Sequence, residues 1–215
     1  MFIHFESFSA ERRFADLCEA VRHCTLCPRL CSHQKVLSNH NGNIHSKVVF
    51  VAEAPGRLGA DRTCIPLHGD KTGDNFDNLL DTIAWKRNEI FITNAVLCNP
   101  REDNGNNGTP TPDELANCSA FLEMTIELIQ PEVVVSLGTL ALKALGYIAP
   151  HGLTLKTHIA QLIPWSGRML VPLYHPGPRA LINRSLPRQR ADSIELAKHV
   201  HPIRGLINKP SQPFH

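Results

Sequence analysis

The sequence lacks a large excess of charge of either sign, since 22 Lys and Arg residues face 20 Asp and Glu residues and the formal net charge is +2. Such a chain does not hold nucleic acid by bulk charge, so any contact with phosphates requires a local basic patch. The sequence also lacks an apolar run long enough to cross a membrane, and it contains no internal repeat. Its first residues lack the basic and apolar regions of a signal peptide, so we expect a cytoplasmic protein that does not contact a membrane.

What the chain does contain is the composition of an ordinary folded domain, with 42% hydrophobic and 20% charged residues over 215 positions. Seven cysteines are present. In a reducing compartment, cysteines in this number indicate metal ligands or reactive thiols rather than disulfides.

Strand and helix patterns alternate along the chain. Near-continuous apolar runs predict strands that begin at about residue 46 and end before Pro55, and at 89–96, 132–137 and 168–174. Helical spacing predicts helices at 10–23, 74–85, 111–130, 138–145 and 188–200. Apolar strands that alternate with helices favour one α/β domain with a mainly parallel sheet covered on both faces. Residues 1–45 belong to this domain as an N-terminal helix and cysteine loop, 46–200 form the core, and 201–215 are expected to be a loosely ordered tail.

The cysteines are spaced as metal ligands are. Cys24 and Cys27 stand two residues apart, which lets one short loop present two thiolates to one metal centre. Cys98 follows a predicted strand and Cys118 lies in the next helix, so both can close a four-thiolate site against that loop. Cys31 could replace any of these ligands, and Cys98 and Cys118 could instead be buried apolar residues. Four cysteines alone do not distinguish zinc from an iron–sulfur cluster, and zinc is the simpler assignment.

Four polar residues lie at or near predicted strand ends, where open α/β sheets place their ligands. A carboxylate such as Glu53 or Asp70 can orient water or stabilise a cationic sugar. Asn94 offers a donor and an acceptor for one edge of a nucleobase, and His175 can donate to a developing anion. Each residue alone has an ordinary explanation as a turn or surface group, but together they predict a site.

Several motifs in order resemble the uracil-DNA glycosylase superfamily, and in particular its iron–sulfur families 4 and 5. The similar stretches are residues 24–30 (CTLCPRL), 52–56 (AEAPG), 59–63 (GADRT), 69–70 (GD), 92–98 (ITNAVLC), 110–118 (PTPDELANC) and 174–178 (YHPGP). This resemblance implies a three-layer α/β/α sandwich with a four-stranded, mainly parallel sheet. It also implies a structural [4Fe–4S] cluster on Cys24, Cys27, Cys98 and Cys118, with zinc as the alternative.

The implied reaction is hydrolysis of the N-glycosidic bond of uracil, or of a related deaminated base, in DNA by a monomer that flips the base out of the stack. Glu53 would position the water, Asp70 matches the acid that family 5 uses in its place, and His175 would stabilise the leaving base. Asn94 would recognise the uracil edge. Other expected contacts are Ala54, Leu67, His68 and Phe76 to the base, and Arg57, Arg62, Arg179 and Arg184 to DNA phosphates.

The sequence departs from the family pattern at two of these motifs. Leu67 stands where the family has a phenylalanine that stacks on uracil, so His68 or Phe76 is expected to compensate. Gly177 stands where a serine is usual. These departures keep a second interpretation open, a catalytically weak or inactive glycosylase-like protein that binds DNA around a structural metal centre. A third interpretation is a nucleotide-binding protein whose fold is stabilised by zinc.

Overall fold

A computed structural model describes residues 9–207 of the chain, and of residues 201–207 the backbone alone. A single β-sheet forms the centre of the described part of the chain. Its strands are β1 (Val48–Ala52), β2 (Phe91–Asn94), β3 (Val133–Leu137), β4 (Ile163–Trp165) and β5 (Arg168–Leu173). Their order across the sheet is β2-β1-β3-β5-β4, and every neighbouring pair is parallel except β4 with β5. The mainly parallel sheet of the sequence prediction is therefore confirmed.

The sheet has five strands, not the four that were predicted. The missed strand, β4, pairs antiparallel with β5 and has only three residues, with Pro164 in the middle. Proline cannot donate to a sheet hydrogen bond, which an edge strand tolerates, and a proline in the middle of so short a run obscures the strand pattern. The added strand lies at the edge of the sheet away from β1 and β2.

Helices cover both faces of the sheet. Their bounds are α1 (Ala10–Arg22), α2 (Ala60–Thr63), α3 (Lys71–Thr82), α4 (Pro112–Ile129), α5 (Thr139–Ile148), α6 (Leu155–His158) and α7 (Leu186–Ile207). Val49 and Val51 of β1 pack into an apolar cluster with α1, α4 and α5, whereas Phe50 and its neighbours pack with α3 and α7. This alternation buries β1 on both sides and produces the expected three-layer α/β/α sandwich.

Three helix bounds differ from the prediction for local reasons. Helix α3 begins at Lys71 because the Asp70 side chain caps it, accepting from the Gly73 N–H at 3.0 Å. Helix α5 continues through Gly146 to Ile148, and α7 continues to Ile207, past the predicted start of the tail at 201. The tail beyond 207 lies outside the described residues. No helix in the described range has the length and apolarity needed to span a bilayer.

The topology brings the carboxyl ends of β1, β2, β3 and β5 to one edge of the sheet. The chain leaves β1 toward β2 and then returns to the other side of β1 to form β3, so the order reverses between β1 and β3. Such a reversal opens a crevice beyond the strand ends, which is where open α/β sheets bind ligands.

Candidate active site

A cleft with a volume of about 470 Å³ opens at this edge of the sheet. Glu53 follows β1, Asn94 ends β2 and His175 follows β5, and all three line the cleft. The loop between α2 and α3 contributes further walls. In total, the cleft collects seven of the residues predicted for the site, namely Glu53, Ala54, Leu67, Asp70, Asn94, His175 and Arg179.

The ring of His175 has a fixed orientation and charge. Its Nδ1 accepts a hydrogen bond from the Gly177 N–H at 3.0 Å. Burial lowers the pKa of His175 to about 4, against the opposing effect of the nearby Asp70 charge. At neutral pH the imidazole is therefore uncharged, and because Nδ1 accepts, the proton resides on Nε2.

Gly177 is what allows this contact. A Cβ atom at this position would lie 2.7 Å from His175 Nδ1, closer than real Cβ contacts, so the ring would have to shift. The glycine that departs from the family pattern therefore has a physical reason in this chain, because it lets the backbone amide approach the ring.

The two acidic residues of the cleft differ in their surroundings. Burial alone raises the pKa of Glu53, and its carboxylate accepts no hydrogen bond from the described residues. Asp70, in contrast, uses Oδ1 to cap α3, while its Oδ2 packs so closely on Gly59 that a Cβ there would approach it to 2.5 Å. The uncommitted carboxylate is thus Glu53, and Asp70 fixes the start of a helix.

Asn94 carries an unsatisfied donor. Its side chain is 2% exposed, and its buried Nδ2 has no hydrogen-bond partner among the described residues. Buried amide groups almost always find partners, because an unpaired one costs about 1–3 kcal/mol. An unpaired Nδ2 beside an open cleft indicates that a ligand supplies the acceptor.

The four predicted cysteine ligands come from three parts of the chain. Cys24 and Cys27 follow α1, Cys98 follows β2 and Cys118 lies in α4, and all four thiols are free. Burial raises the pKa of Cys98 to about 12 and of Cys118 to about 11. In both cases the charges of Cys24 and Cys27 raise the pKa further, so the four sulfurs interact. Cys31 instead donates to the Pro28 carbonyl at 3.3 Å.

A single metal ion and a cluster require different spacings between thiolate ligands. Among the described side chains, no three His, Cys, Asp or Glu groups lie close enough together to hold a single ion. Thiolates on one zinc would lie about 3.8 Å apart, given a Zn–S bond of about 2.3 Å. The four ligands of a [4Fe–4S] cluster bind four different irons and lie farther apart. The described side chains therefore do not form a preassembled site for a single zinc ion.

Comparison with known proteins decides the family. The Uracil DNA glycosylase superfamily model matches residues 40–195. A type-4 uracil-DNA glycosylase of Thermotoga maritima is 34% identical over 194 residues, which cover 89% of this chain and 96% of that protein. The chain belongs to the uracil-DNA glycosylase superfamily. Relatives of both iron–sulfur types occur, such as a type-4 enzyme of Archaeoglobus fulgidus (30% identical; 81% of this chain, 87% of that protein) and a type-5 enzyme of Pyrobaculum aerophilum (26%; 77% and 83%).

Some residues that the resemblance assigned to base binding do not reach the cleft of this superfamily member. Phe76 is 2% exposed and packs edge-on against Phe50 at a centroid distance of 5.3 Å, in the apolar layer beneath α3. It is a core residue, so its predicted contact with the base is wrong. His68 is exposed and does not line the cleft either, so Ala54 and Leu67 are the predicted apolar contacts that line it.

The predicted phosphate contacts also separate into two groups. Arg179 lines the cleft, Arg57 is exposed on the loop that follows β1, and Arg62 is exposed on α2. Arg184 is different, because it donates two hydrogen bonds to Asp192 at 2.9 and 2.5 Å. This pairing neutralises its charge, so the structure contradicts a phosphate contact by Arg184.

Sequence reasoning missed a wall of the cleft formed by the 101–109 loop. Asn107 and Thr109 line the cleft, and Asn107 Oδ1 accepts from the Arg57 N–H at 2.8 Å. Arg29, two residues after Cys27, anchors the loop by donating to the carbonyls of Arg101 and Thr109 and, twice, to Glu114. The motif around Cys27 contained this arginine, but only the folded chain shows what it binds.

Proposed function

We propose that this protein is a DNA glycosylase that flips uracil, or a related deaminated base, out of DNA and hydrolyses its N-glycosidic bond. The observation that carries the proposal is the convergence in one cleft of the unpaired Asn94 amide, the neutral His175 ring and the uncommitted Glu53 carboxylate. DNA is the polymer on which the superfamily acts, and uracil is the base named for the relatives.

Asn94 supplies the selectivity for uracil. Its Nδ2 donates to the O4 atom of the base, and its Oδ1 accepts from the N3–H. Cytosine presents an amino group and an unprotonated N3 at the same two positions, so both hydrogen bonds would fail. A buried polar group that is left unpaired in this way rejects the wrong ligand strongly.

His175 stabilises the leaving group. As the glycosidic bond breaks, negative charge collects on the uracil ring, and the Nε2–H of His175 donates to its O2. A neutral, prepositioned donor in a site that excludes water stabilises such a charge without reorganisation. The amide of Gly177 holds the ring in the tautomer that has this proton.

Glu53 acts on the sugar side of the base. Its carboxylate accepts a proton from the attacking water and stabilises the cationic character that the sugar develops. Asp70 positions the loop between α2 and α3, and through it the apolar wall formed by Leu67. That wall is held from behind, because Arg87 donates to the carbonyls of Pro66 and Leu67.

Base flipping leaves a gap in the DNA stack, and Ile182 is suited to fill it. Its side chain is 89% exposed on the short 3₁₀ helix Pro178–Ile182, which follows His175. Proteins that unstack DNA insert exposed apolar side chains of this kind between bases. Sequence reasoning did not identify Ile182, because only the structure shows that an isoleucine here remains outside the core.

Cys24, Cys27, Cys98 and Cys118 would hold a [4Fe–4S] cluster. Its contribution, when bound, is structural, since it joins the loop after α1 to the end of β2 and to α4. Asn117 donates to Cys27 Sγ at 3.5 Å, which orients one ligand. We expect the purified protein to be brown and monomeric.

The test uses labelled single- and double-stranded oligonucleotides that contain uracil, hypoxanthine or xanthine, with alkali to cleave at abasic sites. We expect strand scission at uracil, and at least a hundredfold slower scission after Asn94→Ala or His175→Ala, with the brown colour unchanged. Asn78→Ala, on the exposed face of α3, is the matched control and keeps the wild-type rate. Absence of scission with every substrate would overturn the proposal and favour the DNA-binding alternative.

A further inference from the structure

A second concave surface lies beside the cleft, and no step of the reaction above uses it. This groove has a volume of about 850 Å³ and lies between α5 and the segment 150–156. It reaches the loop after β5, where Tyr174 lines the groove and the next residue, His175, lines the cleft. The groove and the cleft therefore lie on either side of the segment 174–183, close enough for one polymer to contact both.

The groove lies in a part of the chain without acidic residues. Residues 133–191 contain seven Lys or Arg and no Asp or Glu, whereas the rest of the chain has fifteen basic and twenty acidic residues. Lys143 and Lys156 line the groove and are exposed. The ion pairs that lysines form within the described residues involve Lys47, Lys71 and Lys198, so both groove lysines remain available to an anion. The small net charge of the whole chain does not reveal this local excess of basic residues.

The groove also gathers aromatic side chains. The chain has two tyrosines, and both Tyr147 and Tyr174 line it. Tyr147 on α5 is 41% exposed, an unusual amount for a large ring on a helix that packs against the sheet. Tyr174 is half-buried, so Tyr147 offers the exposed ring. Proteins bind single-stranded nucleic acid in basic grooves of this kind, with cations on phosphates and aromatic rings stacked on bases.

We propose that the groove binds an unpaired stretch of the DNA strand that carries the target base, with Lys143 and Lys156 on phosphates and the Tyr147 ring on a base. The inference rests on the proposed function, because the strand enters the groove past the cleft. A duplex can bring its phosphates to the lysines, but its paired bases have no free face for Tyr147. The groove therefore makes unpaired DNA the preferred substrate.

The first test measures binding to undamaged single-stranded DNA and to the same sequence as a duplex, by fluorescence anisotropy. We expect Tyr147→Ala to weaken single-strand binding by about tenfold and duplex binding by less than about twofold, whereas Tyr147→Phe retains wild-type affinity. Wild-type affinity of Tyr147→Ala for the single strand would overturn the proposal, as would equal loss on both DNAs.

The second test concerns the lysines. Lys143→Ala/Lys156→Ala removes two phosphate contacts, so the slope of log K against log salt for single-stranded DNA should become shallower by about 1.4. The control Lys47→Ala/Lys86→Ala changes the net charge equally, but both lysines precede the amino ends of strands, away from the groove. This control should keep the wild-type slope. Equal slopes for the two double variants would overturn the proposal. Unchanged melting temperature and visible absorbance show that the variants fold.

These measurements separate the groove from the proposed reaction. Binding to undamaged DNA requires no excision, so a failure of the glycosylase reaction leaves the groove test intact. Conversely, if uracil is excised while the groove variants bind and excise like the wild type, the groove proposal alone is overturned. With the reaction established, we expect Tyr147→Ala to raise KM on single-stranded uracil substrates without lowering kcat.

Discussion

The charge of His175 is set mainly by burial, and its tautomer is set by a backbone amide. Burial lowers its pKa to about 4, and the Gly177 amide occupies Nδ1, so the ring faces the cleft as a neutral Nε2–H donor. The position of His175 at a strand end was visible in the sequence. Its tautomer was not, because it depends on a contact between a ring and an amide two residues away.

Substitution of Gly177 by alanine should disturb this arrangement. The added Cβ would lie 2.7 Å from His175 Nδ1 and would displace the ring, and a misplacement of about 1 Å costs on the order of a hundredfold in rate. We expect kcat for uracil excision to fall by about that factor while the melting temperature changes little. Gly152→Ala is the control, since nothing lies within 4 Å of its added Cβ. A wild-type rate for Gly177→Ala would show that the ring tolerates displacement.

The pH dependence of excision should identify the acid that acts on water. Burial raises the pKa of Glu53 above its usual 4.5, whereas that of His175 is about 4. As the pH falls, Glu53 therefore takes up its proton first, and kcat/KM should decline through the raised pKa of Glu53 while His175 is still neutral.

Two variants show which carboxylate causes the decline of kcat/KM at low pH. Glu53→Gln should lower the rate by about 10²–10⁴-fold and make the remaining activity independent of pH in this range. Asp70→Asn keeps a side-chain oxygen to cap α3, and it should retain the decline of kcat/KM at low pH, here called the acid limb. If Asp70→Asn abolishes the limb and Glu53→Gln does not, Asp70 is the residue that positions the water.

At the scale of elements, the apolar runs of the sequence were sufficient to predict four strands and their helices. The strand β4 escaped because three residues around Pro164 carry no recognisable period. Phe76 is instructive for the opposite reason. Its helical spacing with Leu79 and Leu80 already indicated a core position, and the structure places it there. The base contact was inferred only from the replacement of the family phenylalanine by Leu67.

The contact between Arg29 and Glu114 joins two elements that the sequence shows far apart. Burial alone would raise the pKa of Glu114, but hydrogen bonds from Arg29 and Thr111 outweigh it and hold the pKa below its usual value. Arg29 also binds the 101–109 loop, which forms a wall of the cleft. The cysteine loop and the cleft are therefore mechanically connected.

Removal of Arg29 should affect both stability and substrate binding. Arg29→Ala leaves the buried Glu114 carboxylate without its charged partner, which should cost about 1–3 kcal/mol in the free energy of unfolding. We also expect KM to rise, because the 101–109 loop loses its anchor. Urea unfolding and steady-state excision measure the two effects. Arg12→Ala, which breaks an exposed pair with Asp16, is the control and should cost less than about 0.5 kcal/mol.

At the scale of the whole molecule, charged residues are distributed unevenly along the chain. The net charge of +2 predicted only that a local patch must bind phosphates. The acid-free stretch 133–191 was present in the sequence and would have located that patch, but net charge averages over the chain. Which of its basic residues remain free needed the structure, since Arg168 and Arg184 are neutralised by Glu127 and Asp192.

The proposed cysteine centre would join the N-terminal segment, the sheet and α4, so its loss should lower the stability of all three. Cys98→Ala should abolish the brown colour and the visible absorbance, lower the melting temperature and, through the 101–109 loop, raise KM for uracil excision. Cys31→Ala and Cys64→Ala should retain the colour, because the Cys31 thiol donates to the Pro28 carbonyl and Cys64 lines a different groove. Metal analysis completes the test, with about four irons per chain expected for a cluster. A colourless wild-type protein that contains one zinc, or loss of colour in Cys31→Ala, would require a different ligand set.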